Sequence, residues 1–290
     1  RPVTLLSLVA LVVLIPLNFI FMYGLGPIPH LGSAGCGFAT AILQWLMFIV
    51  LAIYVFKAKR YQKTQPLTHF EKINPILIKR ILKLGLPIGL AIFFEVSIFS
   101  TGAIVLSTLG EVTIAAHQIA ISVTSQLFMI PMSLALALTI RVGTYYGEKN
   151  WVAMRQVQKV GLMTATLFAF ITMLLMWLLR HQIVAVYTSD YEVAQIAVYL
   201  VLFAIAYQLM DAWQVSAAGC LRGMQDTKGP MWVTMLAYWV IAFPIGIYLA
   251  RYTDFGAAGV WIGLIIGLSI ACVLLLMRLF MNNKRLSLNI

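Results

Sequence analysis

Residues 84–107 read LGLPIGLAIFFEVSIFSTGAIVLS, an apolar run carrying one charge, Glu95. The hydrocarbon of a bilayer is crossed by roughly 20 apolar residues in a helix. Nothing in the run alternates as a half-buried strand does, so the stretch reads as a membrane span. Glu95 then lies about 11 residues inside it, roughly 17 Å deep at helical rise.

Seven further runs have the same character, giving spans at Leu5–Tyr23, Ala34–Phe56, Leu84–Ser107, Gln118–Ile140, Val160–Leu179, Val193–Gly219, Met231–Ala250 and Ala257–Leu279. The fold class is all-α, a polytopic bundle of about eight transmembrane helices. Composition agrees: the 290 residues are 62% hydrophobic and 10% charged, with mean hydropathy +0.96, whereas a soluble domain is about a quarter charged. The lipid bilayer is therefore the first partner. The net charge of +11 does not point to nucleic acid, because the basic residues lie between apolar runs and do not interleave with aromatics. Cys36, Cys220 and Cys272 have no metal or redox spacing and read as small packing residues. The first run is long enough to span and reads as a span, not a secretory signal.

The basic residues orient the spans. Of the 20 Lys and Arg, all but Arg180 and Arg251 fall on one set of loops and ends, the positive-inside pattern. Both ends of the chain and the 57–83 connection are thereby expected on the cytoplasmic side. Within that connection Asn74–Lys83 has helical apolar spacing with a basic face; it reads either as an interfacial helix or as the start of the next span.

The first and seventh spans resemble each other. Pro2 and Pro16 match Pro230 and Pro244, with Leu8/Leu236 and Val12/Val240 between; after a gap, Gly32, Ala34 and Gly35 match Gly256, Ala258 and Gly259. Six spans separate the copies, so both have the same orientation, as in transporters built of parallel halves. Two such six-span halves make twelve spans, of which this chain is expected to lack the first four. The expected organisation is residues 1–56 as the last two helices of an N-terminal lobe, 57–83 as a basic cytoplasmic linker, and 84–290 as a six-helix C-terminal lobe.

Two of the nine acidic residues, Glu95 and Asp211, fall inside spans. A carboxylate there is costly and escapes by protonation or by binding a cation, so intramembrane acids mark ion pathways. Tyr207, Asp211 and Gln214 share a helix face at i, i+4, i+7. Ser97, Ser100 and Thr101 near Glu95 read as bonding back to their own helix. Asn18 is a further mid-span polar residue, a secondary site together with Gln214, or a partner for backbone freed by Pro16. Pro16, Pro87, Pro131 and Pro244 each remove a helical hydrogen bond and are candidate bending points. Glu95 and Asp211 are the candidate cation ligands.

The stretch Gly85-Leu-Pro-Ile-Gly-Leu-Ala-Ile-Phe-Phe-Glu95, with Ala115-Ala-His-Gln-Ile119, Tyr207-Gln-Leu-Met-Asp211 and Gly219-Cys-Leu-Arg-Gly223, resembles the MATE (multidrug and toxic compound extrusion) transporters, in their NorM-like branch, over essentially the whole chain. The resemblance implies a two-lobed twelve-helix fold of which this chain is the C-terminal two-thirds. It implies antiport of cationic amphiphilic compounds against Na⁺ or H⁺, with no cofactor, by a monomer in a bacterial inner membrane. It assigns the cation to Glu95 and Asp211, with Tyr207 beside them. Proton-coupled relatives have an Asp where this chain has Asn18. The rival readings are a flippase or exporter of lipid-linked sugars, expected to show a cationic cavity, and an intramembrane enzyme. The latter is disfavoured because His30, His69, His117 and His181 fall in loops or at span ends, without ligand spacing. His117 reads as interfacial, with a proton relay as the alternative.

Overall fold

The computed structural model describes residues 2–24, 30–58 and 74–288. Arg1, Lys59, Arg60, Lys63, His69, Glu71 and Lys72, all part of the sequence argument, lie outside them. The chain forms two compact units, Arg1–Asn74 and Pro75–Ile290. Among the described residues eight helices are long and apolar enough to cross a membrane.

The first unit is a helical hairpin, α1 (Pro2–Tyr23) and α2 (Ser33–Lys57). Gly32 stands before α2 at φ 56°, a left-handed conformation that glycine takes without strain. Gly35 then sits so close to the Phe21 carbonyl that no Cβ fits.

The second unit holds α3 (Pro75–Ser107), α4 (Glu111–Gly147), α5 (Trp151–Tyr187) and α6 (Tyr191–Gly223). Its last two spans are α7 (Lys228–Met235) continued by a π-helical segment (Leu236–Ala242) and α8 (Phe243–Tyr252), then α9 (Ala257–Leu288). Asn74–Lys83 resolves in favour of its second reading: from Pro75 onward it is the first turns of α3, continuous with the span. The helices overrun the apolar runs because polar caps, not hydropathy, end them. Asn150 accepts from Ala153 N–H at 3.1 Å to start α5, and Asp190 accepts from Glu192 N–H at 2.9 Å to start α6.

The repeat seen in sequence recurs as geometry. Gly256 has φ 50°, against 56° at Gly32, and each is followed by the same turn bond at 3.1 Å, Gly35 N–H to Gly32 O and Gly259 N–H to Gly256 O. Gly259 is pressed on the α8 backbone as Gly35 is on α1; a Cβ there would lie 2.5 Å from Ala250 N.

Helix α6 is the axis of the second unit, packed on α4, α5 and α9. Its residues Gln214–Leu221 are all buried, and its small ones let it approach α4 closely, as Gly-x-x-x-Gly pairs do in membranes. A Cβ on Gly219 would lie 2.5 Å from Ala135 O, and one on Gly223 2.8 Å from Thr139 O. Thr139 Oγ1 donates to Gly219 O at 3.0 Å across this seam. The π-helical segment ends just before Pro244, whose missing N–H and ring bulk favour such irregular winding.

Candidate functional site

A cavity of about 430 Å³ opens among α3, α4, α6 and α7, a size that suits a drug-like molecule. Its wall is mostly apolar, with Phe99, Phe128, Met129 and Met132 among the larger side chains. Glu95 projects from α3; Tyr207, Asp211 and Gln214 project from one face of α6. The structure thus brings together on one wall four residues singled out from two separate spans. Asn18 belongs to the other compact unit, where its amide oxygen is buried without a hydrogen-bond partner among the described residues. Ser97, Ser100 and Thr101 donate to the carbonyls of Phe94, Val96 and Ser97 in their own helix, as expected.

Glu95 is held by a chain of donors. Tyr238 Oη donates to Gln214 Oε1 at 2.7 Å, which orients the amide so that Gln214 Nε2 donates to Glu95 Oε1 at a long 3.4 Å. Trp239, the next residue of the π-helical segment, donates its indole N–H to the Phe94 carbonyl at 3.3 Å. Two consecutive residues of that segment therefore secure two consecutive residues of α3. Asp211 is 5% exposed and within electrostatic range of Glu95.

Behind Tyr207 lies a buried aromatic group. Its ring stacks on Trp261 at 6.0 Å, and Trp261 Nε1–H donates to His117 Nδ1 at 3.2 Å. His117 is 1% exposed within α4, which corrects its reading as an interfacial histidine. A span drawn from hydropathy begins at Gln118, whereas the helix begins at Glu111 and carries His117 inward. Because an indole can only donate, the accepting Nδ1 bears no proton and Nε2 carries it. Nε2 is buried with no partner among the described residues.

Arg222, one of the basic residues on the cytoplasm-assigned side, lines the cavity that holds Glu95 and Asp211. The signal was present in the spacing, since Arg222 follows Asp211 by three helical turns on one face. Tyr238 and Trp261 had a weaker signal: a Tyr or Trp inside a span carries a polar atom that seeks a partner when buried, but spacing does not reveal which.

For a hard cation the cavity offers carboxylate oxygens and the Tyr207 hydroxyl, a suitable donor class. Gln214 presents its N–H side to Glu95 and has its oxygen engaged by Tyr238, so its amide is not offered as a ligand in this arrangement.

At the cytoplasm-assigned end, Asp226 accepts from Arg278 Nε and Nη2 at 2.6 and 2.9 Å and from Asn282 Nδ2 at 2.8 Å. Burial alone raises its pKa, but these bonds and the Gly229 N–H outweigh it and hold the carboxyl below its ordinary value.

Comparison with known proteins gives a consistent result. Residues 87–248 match the family model MatE. The chain is 75% identical over 287 residues to a protein from Acinetobacter baylyi described as a probable multidrug resistance protein NorM, covering 99% of this chain and 64% of that one. The chain therefore spans under two-thirds of that relative's length. Among solved structures, a eukaryotic MATE transporter is similar at TM-score 0.87 and 22% identity, over 98% of this chain and 63% of that chain. A MATE transporter in a straight conformation is similar at TM-score 0.82 and 22% identity, over 96% and 62%. At such identities the likeness speaks for the fold.

Proposed function

The chain belongs to the MATE family, and from that premise we propose that it forms part of a secondary antiporter that exports cationic amphiphilic compounds in exchange for Na⁺ or H⁺. One observation carries the reading: two membrane-embedded carboxyls, Glu95 and Asp211, share the wall of one largely apolar cavity of drug-like size. Aromatic and Met side chains suit flat cations, through cation–π contact and adaptable packing. The description of the Acinetobacter relative as a multidrug resistance protein supports the same reading.

In the proposed cycle the coupling cation binds at Glu95 and Asp211, with the Tyr207 hydroxyl beside them. Loading the carboxyls removes their unfavourable charge from the low-dielectric interior and shifts the preference between outward and inward conformations. Cargo and cation compete for the same negative wall, so arrival of one favours departure of the other. The protein works in the bacterial inner membrane, with both ends of this chain cytoplasmic and residues 57–74, up to the start of α3, as the basic connection between lobes.

The test is ethidium flux in proteoliposomes of the full-length protein under an imposed Na⁺ or H⁺ gradient. Wild type should couple to one gradient, and Glu95→Gln or Asp211→Asn should lose coupled flux by at least tenfold. Equal flux in all three would remove the carboxyls from the mechanism. Arg222 on the cavity wall is the observation favouring the second reading, a flippase for lipid-linked sugars. A wild type that moves no cation under either gradient would turn to it.

A further inference from the structure

Helix α6 presents a single continuous stripe to the cavity: Tyr207, Asp211, Gln214, Val215, Ala218 and Arg222, which fall within about 100° of one another around the helix. Arg222 is set about 16 Å along the axis from Asp211. Its roll is fixed from both sides, since Gly219 and Gly223 press their backbone onto α4. The guanidinium is half-buried, and among the described residues it has no hydrogen bond and no ion pair.

The nearby carboxylate is already engaged. Asp226, four residues on, accepts two bonds from Arg278 and one from Asn282. Asp211 is three turns away along the helix. Across the cavity Glu95 remains, lining the same cavity as Arg222 and held by one long amide bond from Gln214.

We propose that Arg222 is the resident counter-cation of the cavity, a positioning residue that competes with cationic cargo for Glu95 and so sets how readily cargo leaves. The inference rests on the reading of this cavity as the cargo site. An arginine stays charged under all working conditions, so its effect is that of a fixed positive charge. When cargo departs, Glu95 still faces a charge of opposite sign, which stabilises the empty site relative to the loaded one. Affinity is given up and release is gained.

The experiment measures equilibrium binding of ethidium by fluorescence anisotropy, in full-length wild type, Arg222→Gln and Arg222→Lys. Binding of an uncharged dye, Nile red, and the melting temperature are recorded for each. Arg222→Gln should bind ethidium on the order of tenfold tighter, the size of one screened charge interaction, with maximal flux reduced and Nile red affinity unchanged. Arg222→Lys, which keeps the charge, should stay within about twofold of wild type. Arg222→Met serves in the same role should the Gln variant melt too low to measure. Unchanged or weaker ethidium binding in the neutral variants overturns the proposal, and so does an equal gain for Nile red or a Lys variant that behaves as Gln does. A wild type that binds no ethidium overturns this inference together with the reading beneath it.

Discussion

Tyr238 has one hydroxyl, and it orients Gln214. Tyr238→Phe should leave the Gln214 oxygen unpaired in a buried setting and let the amide rotate away from Glu95. A loss of about 1–3 kcal/mol and a change in ethidium affinity are expected, read by thermal melting and anisotropy. Trp261→Phe should cost a similar amount, because His117 Nδ1 loses its donor while the ring stack on Tyr207 is largely kept. The carboxylate outside the spans gives a pH signature. The folded pKa of Asp226 lies below its ordinary value, so the stability it contributes is complete above that value and is lost as pH falls through the folded pKa. Between neutrality and about pH 3, wild type should lose more melting temperature than Asp226→Asn. At this scale the sequence was legible where a charge interrupts an apolar run, as at Glu95 and Asp211, or where polar residues keep helical spacing, as at Tyr207 and Gln214. It was silent on partners reached through space: nothing in the order of residues pairs Tyr238 with Gln214 or Trp261 with His117.

At the scale of elements, close helix contact depends on missing side chains. Gly219→Ala places a methyl group 2.5 Å from the Ala135 carbonyl, a rigid backbone neighbour, so α4 and α6 must separate. About 1–3 kcal/mol of destabilisation is expected. Gly37→Ala on α2 meets nothing within 4 Å and should be neutral or slightly stabilising through helix propensity; comparing the two melts isolates packing from propensity. The spans were legible because each is an uninterrupted apolar run, and their extra turns were not, because they are polar and start at caps such as Asn150 and Asp190. The π-helical winding of Leu236–Ala242 was foreshadowed by Pro244 alone, which marks a bend without saying how the backbone absorbs it.

For the whole molecule, the distribution of Lys and Arg predicts which ends of the helices face the cytoplasm. A cysteine at Thr188, between α5 and α6, should react with a membrane-impermeant maleimide in intact cells. One at Lys149, between α4 and α5, should react only after permeabilisation. The reverse result would invert the proposed orientation. The repeat between the first and seventh spans also has a consequence for biosynthesis. Each copy is a helical pair whose turn is closed by its own chain, through Gly32 and Gly35 in one and Gly256 and Gly259 in the other. Neither turn waits for residues made later. A nascent chain can thus pass each pair from ribosome to lipid as a finished two-helix piece, so assembly order follows the order of translation.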